Sequence, residues 1–244
     1  MILQNLTQLE FIYGSFTLIF VLIAILIGIK LISKYFTYKL KEFITVGLTW
    51  VFLSSAWWGG SISFVLFILF NTSLPEMIYL FLNNGLIPIA FICWIFSFAH
   101  FIYPRLKKQI VGISAIICLI YEIFLIIFLF TNPDIIGTFE GKFNLQAGLY
   151  SMIFQLFSIF VFLITGILFA KNSMKSVDLV VKWKGKFLLI GFIFFTVGAL
   201  IEATIIMTPI SLVIMRIILI VSGVFYYLGF YLPEKLSDFL IKEG

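Results

Sequence analysis

Two charged residues stand where hydrocarbon should exclude them. Glu202 and Arg216 each interrupt a long apolar run within residues 186–232, a stretch that turns at Met207-Thr208-Pro209. Glu202 lies six residues before Thr208 and Arg216 eight after it. At 1.5 Å per helical residue both sit roughly 9–12 Å below one membrane surface. A lone charge at that depth costs roughly 2.5–3.5 kcal/mol on insertion scales. Opposite charges at matched depth on neighbouring helices offset much of this cost, so an ion pair inside a bundle is expected. Glu122, a third intramembrane carboxylate, has no cation nearby in sequence. It is expected to be neutralised, solvated by a cavity, or sharing Arg216. Asn83, Asn84 and Gln155 are amides in apolar surroundings, suited to hydrogen bonds between helices. Trp57, Trp58 and Trp94, with Trp50, lie too deep for an interfacial aromatic belt. They are expected either in the core or as a stacking wall for an apolar ligand.

Catalytic chemistry has little to stand on. A single histidine, His100, and two cysteines, Cys93 and Cys118, both inside apolar runs, give no metal cluster and no disulfide framework. There is no HExxH, no GxSxG and no phosphate-binding glycine loop. The last apolar run has no lysine, so a retinal Schiff base would have no attachment point. No enzyme activity, cofactor or metal is expected.

The elements that must carry these residues follow from composition. The chain of 244 residues is 63% hydrophobic and only 11% charged, with a mean hydropathy of +1.20. A soluble domain carries about 25% charged residues. Seven runs reach the roughly 20 residues that a helix needs to cross a bilayer. They cover about 11–33, 43–70, 77–102, 110–130, 145–170, 187–208 and 209–232. The expected fold is therefore an all-α integral membrane protein, a seven-transmembrane-helix bundle over residues 1–232. Thr208-Pro209 separates the last two runs, because proline disfavours helix just before it and suits the first turn after it. In residues 233–244, Leu236, Phe239 and Leu240 share a face, so a short amphipathic tail helix is expected on the inner leaflet.

Basic residues set the expected orientation. Fourteen of the 16 Lys and Arg residues fall in the first, third and fifth connections and the tail; Lys142 alone falls on the other side, and Arg216 lies within the membrane. Positive loops stay inside, which places the N-terminus outside and the C-terminus in the cytoplasm. This split distribution argues against nucleic acid as a partner, despite a net charge of +5. Residues 1–10 lack a basic run ahead of an apolar core, so no cleaved signal peptide is expected. The longest outer connection, 131–144, holds Asn132-Pro133-Asp134 and two glycines, and turn chemistry is expected there.

With this topology Asn83, Asn84, Glu122, Gln155, Glu202, Arg216 and the Thr204 hydroxyl all fall in the outer half. Small residues mark packing faces in membranes. Ser114, Ala115 and Cys118 share a face with Glu122. Gly191, Gly198 and Ala199 share one with Glu202, and Ile220, Gly223 and Tyr227 one with Arg216. A polar pocket opening outward is one reading of the set; buried hydrogen bonds fixing helix register is the other.

Three segments carry a resemblance. They are Val46-Gly-Leu-Thr-Trp-Val-Phe-Leu-Ser-Ser-Ala-Trp-Trp-Gly-Gly-Ser-Ile-Ser-Phe64, Lys184-Gly-Lys-Phe-Leu-Leu-Ile-Gly-Phe-Ile-Phe-Phe-Thr-Val-Gly-Ala-Leu-Ile-Glu-Ala203 and Tyr227-Leu-Gly-Phe-Tyr-Leu-Pro-Glu234. With them the chain resembles uncharacterised seven-helix membrane proteins of archaea, the Asgard lineages in particular. More remotely it is similar to the seven-helix sensor input modules of archaeal histidine kinases. Together with the polar residues in the outer half, this makes a receptor- or sensor-like protein of the cell membrane the leading expectation. Its partners would be the lipid bilayer, a small apolar or lipid-like ligand, and a protein at the basic cytoplasmic loops, with homo-oligomers open. A small-solute transporter and a structural or assembly subunit are the alternatives.

Overall fold

The computed structural model describes residues 6–205 and 208–242. Among them, seven helical stretches are long and apolar enough to cross a membrane: Gln8–Tyr38, Glu42–Phe70, Glu76–Ile102, Pro104–Thr131, Leu149–Met174, Leu179–Thr204 and Ile210–Phe230. The membrane-protein reading and the seven-helix bundle hold at this level. Of the expected turn between the last two spans, Met207 lies outside the described residues. Thr208 caps the final helix by exchanging hydrogen bonds with Ser211, with proline in its first turn.

The first span is the single helix α1 (Gln8–Tyr38), capped by Thr7 and Glu10 in a reciprocal capping box. The second and third are each interrupted. The second consists of α2 (Glu42–Leu53), a 3₁₀ turn over Ser54–Trp57 and α3 (Trp58–Phe70). At the break Ser54 donates its hydroxyl to the Val51 carbonyl, competing with the helical ladder. The third consists of α4 (Glu76–Asn84) and α5 (Ile87–Ile102), parted at Gly85-Leu86. Pro88 lacks the N–H that would have bonded the Asn84 carbonyl, and its ring crowds that turn. The remaining spans are α6 (Lys107–Thr131), α7 (Leu149–Met174), α8 (Leu179–Thr204) and α9 (Pro209–Phe230), followed by the tail helix α10 (Glu234–Lys242).

The spans close into a ring. α1 packs on α2 and α9, α2 on α5, α5 on α7, α7 on α8, and α8 most extensively on α9. Close approach of α1 and α2 needs two glycines. A Cβ on Gly47 would lie 2.6 Å from the Gly28 carbonyl oxygen, and one on Gly28 would lie 2.8 Å from the Gly47 oxygen. Small-residue contacts of this kind drive helix association where lipid removes the hydrophobic incentive. α6 stands outside the ring, packed on α5 and touching α7 through stacked Tyr121, Tyr150 and Phe154. The core is aromatic. Trp94 is met by Phe162 and Phe192, each at 5.0 Å between ring centres, and Trp50 stacks on Tyr226 at 4.6 Å.

Three expectations need correction. The connection after α6 is not only turns: β1 (Gly137–Glu140) and β2 (Asn144–Ala147) form an antiparallel hairpin, with Gly137 opposite Ala147 and Glu140 opposite Asn144. The fold is thus not purely α-helical, and residues 145–147, expected to open the fifth span, belong to a strand. The sixth span begins at Leu179, not 187, because Asp178 caps it through the Val180 N–H at 2.8 Å. Lys182, Lys184 and Lys186, expected in a loop, are therefore on a helix, and the Lys186 ammonium lies 3.7 Å over the Trp183 ring. Finally, the inward tyrosine of α9 is Tyr226, buried with Leu212, Arg216 and Leu219; Tyr227 is only half-buried. The tail helix is present, with Ser237 buried and Phe239 exposed.

Candidate functional site

The ion pair expected from sequence is formed, and it is bidentate. Arg216 Nη2 donates to Glu202 Oε1 at 2.7 Å, and Nη1 donates to Oε2. The α8–α9 hairpin brings the two residues to one level. The arginine side chain is 0% exposed and the glutamate 17%. Two further hydrogen bonds complete the pair. Trp57 Nε1 donates to Glu202 Oε1 at 2.7 Å, and Arg216 Nε donates to Thr17 Oγ1 at 3.2 Å. The guanidinium carbon lies 5.3–5.9 Å from the ring centres of Trp57, Tyr13 and Phe20, an aromatic enclosure that favours a cation. Such a pair survives in low dielectric because further hydrogen bonds and the aromatic enclosure support both charges.

Beside Glu202 lies a cavity of about 190 Å³. Trp57 and Asn83 reach it from the two interrupted spans, Gln155 and Ser158 from α7, and Glu202 and Thr204 from α8. Its apolar walls include Leu53, Ile87, Ile159, Phe162 and Phe195. The breaks position the polar wall. Asn83 Oδ1 accepts the Gly59 N–H at 2.7 Å, one residue beyond the start of α3, so each broken helix steadies the other. Glycine is required there, since a Cβ on residue 59 would come within 2.6 Å of that oxygen.

The hairpin forms one side of the cavity through Asn144, Leu145, Gln146 and Ala147. It is anchored rather than loose. Phe143 is 1% exposed, packed among Tyr13, Phe64, Phe67 and Leu212. Tyr79 donates its hydroxyl to the Phe143 carbonyl at 2.6 Å, and Glu10 accepts the Lys142 N–H at 3.3 Å. The carboxylate that caps α1 therefore also holds the hairpin.

The structure divides the residues singled out from sequence. It brings together Trp57, Asn83, Gln155, Glu202 and Thr204 on the cavity wall, with Arg216 sealed behind Glu202. Asn84 stands just behind the wall, fully buried, accepting Gln155 Nε2 at 3.1 Å and donating to the Leu80 carbonyl. Trp58 donates to Ser54 Oγ at 3.1 Å and Trp94 to Thr165 Oγ1 at 2.7 Å; neither lines the cavity. Glu122 is the clearest departure. It lies on α6, outside the ring, and is absent from the cavity wall. Arg216 is already committed to Glu202 and Thr17, so a shared arginine is not what Glu122 has. Its Oε1 is buried without a hydrogen-bond partner.

Tyr13, Thr17, Ser158 and the whole hairpin were not identified from sequence. Tyr13, Thr17 and Phe20 recur at i, i+4 and i+7 on α1, which was a legible inward stripe. Ser158 follows Gln155 by three residues on the same helix face. Phe143 carried no such signal. Among the described residues no group of His, Cys, Asp or Glu is placed to hold a metal ion, and Cys93 and Cys118 are free thiols.

Comparison of the chain with protein-family models, with curated proteins and with solved structures finds no match.

Proposed function

We propose that this chain is a receptor- or sensor-like membrane protein that binds a small molecule in the cavity beside Glu202. The observation that carries the reading is a cavity of about 190 Å³ whose wall combines a carboxylate, four amides and an unpartnered buried hydroxyl with apolar and aromatic side chains. Convergent polar groups in an otherwise apolar concavity are the usual character of small-molecule sites. The biased distribution of lysine and arginine supports placing the hairpin end outside the cell and the tail in the cytoplasm. Binding would be passed along α8 and α9 to the basic end, where a protein partner would engage the lysine-rich segments.

A small-solute transporter is the second reading, and the paired breaks favour it. Interrupted helices that face a central site are a recurring feature of secondary transporters. Here the breaks at Ser54–Trp57 and Gly85-Leu86 both border the cavity.

One experiment separates the two. The purified chain in nanodiscs is screened for small molecules that raise its unfolding temperature, and each hit is then tested for uptake into proteoliposomes. A hit that binds saturably and is not accumulated supports the receptor reading. Accumulation against a gradient replaces it with the transporter. If no compound stabilises the protein, and a cavity-filling Ala199→Leu chain is as stable as the parent, the site is structural and both readings fall.

A further inference from the structure

Resting on the ligand-binding reading above, we propose that the cavity selects an uncharged, ring-bearing molecule that donates an O–H or N–H to Glu202. Size comes first. A dry protein cavity of about 150 Å³ accommodates benzene. The about 190 Å³ beside Glu202 therefore suits a slightly larger ring system. Ile87, Phe162 and Phe195 supply apolar and aromatic walls for such a body.

The polar wall then fixes the head group. An ionised carboxylate offers about four lone-pair sites. Glu202 uses three, on Arg216 Nη1, Arg216 Nη2 and Trp57 Nε1. The one left over is on Oε2 and can accept a neutral donor. Ser158 lines the same cavity, is 7% exposed, and its hydroxyl has no partner. Gln155 gives one amide N–H to Asn84, which leaves its carbonyl oxygen to accept and its second N–H to donate. Glu202 Oε2, the Gln155 carbonyl and the Ser158 hydroxyl can thus each accept a hydrogen bond from a bound donor.

Charge decides against ions of either sign. The pair is neutral as a unit, and Arg216 is sealed from the cavity while Glu202 faces it. A cation would have to draw Glu202 from an arginine that has no other anion. An anion would meet the carboxylate before the guanidinium. Either ion would lose its hydration without gaining a compensating charge, and in low dielectric that loss outweighs the contacts the cavity offers.

The test uses the full chain in nanodiscs with three probes that share one ring: indole, tryptamine as its cationic counterpart, and indole-3-acetate as its anionic one. Binding is read by calorimetry against empty nanodiscs. Indole is expected to bind saturably, with tryptamine and indole-3-acetate at least tenfold weaker. Ala199→Leu fills the cavity and should abolish indole binding. Ser158→Ala, which changes little in shape, should weaken it about three- to tenfold, the effect of one hydrogen bond. If a charged probe binds as tightly as indole and is still lost in Ala199→Leu, the ligand class is wrong and the pocket stands. If no probe binds above empty nanodiscs, or binding survives Ala199→Leu, pocket and ligand class fall together.

Discussion

Removing either member of the intramembrane ion pair should destabilise the protein unequally, and the inequality follows from burial. Glu202→Gln keeps the shape but leaves a guanidinium that is 0% exposed without its counter-charge, facing only neutral acceptors such as the Thr17 hydroxyl. Breaking a buried pair by deleting one charge costs about 3–5 kcal/mol, because the survivor is left uncompensated. Arg216→Met leaves the reverse problem in a milder form. Glu202 is 17% exposed and lines the cavity, so water can enter and solvate it, and Trp57 still donates to it. About 1–3 kcal/mol is expected, the cost of a lost partner rather than of a sealed charge. The double variant Glu202→Gln/Arg216→Met removes both charges and should recover most of the loss, ending within about 2 kcal/mol of the parent. Equilibrium unfolding of the four proteins in mixed micelles, followed by tryptophan fluorescence, measures the cycle. On the scale of about 2–4 °C per kcal/mol for a chain of this size, Glu202→Gln should lower the melting temperature by about 6–20 °C. Two results would refute the reasoning: Arg216→Met proving the more damaging single change, or a double variant as unstable as the two losses added. Either would mean that the charges are not coupled in the way their geometry requires.

Phe143→Ala should cost about 3–5 kcal/mol by emptying the socket formed by Tyr13, Phe64, Phe67 and Leu212, and amide exchange in residues 137–147 should accelerate; unchanged exchange would show that the hairpin is held elsewhere. Gly47→Leu should impair assembly far more than a surface change would, since its Cβ would meet the Gly28 carbonyl oxygen, and a Leu chain that folded with parental stability would contradict the α1–α2 contact. Glu122→Gln should leave cavity binding unaltered, because that residue is not on the cavity wall; a tenfold change in indole affinity would place it in the site after all. Trp94→Phe should lose the Thr165 hydrogen bond and part of the ring packing, for a cost of about 2–4 kcal/mol in thermal unfolding.

The spans and the ion pair were legible in the sequence because both obey one-dimensional rules. A bilayer fixes the length of an apolar run, and a charge inside it must find its opposite at the same depth. Glu202 and Arg216 stand six residues before and eight after Thr208, so helix rise alone put them at one level. Asn83 and Gln155 could be named as polar and buried, but not as neighbours. Their meeting depends on the Gly85-Leu86 break, on the Gly59 N–H that Asn83 captures, and on α5 lying against α7 in the ring. Glu122 shows the opposite limit. Its depth matched the others, yet depth does not say whether a helix stands inside or outside the ring, and α6 stands outside. The hairpin was least legible of all. Its strands are four residues each, too short for a periodic signal, and Phe143 is fixed by a socket drawn from α1, α3 and α9 and by the Tyr79 hydroxyl of α4. Sequence alone determined how many stretches are long and apolar enough to cross a bilayer and which charges must pair. Tertiary structure alone decided which polar groups share a cavity, because that depends on helix order around the ring and on contacts between residues far apart in the chain.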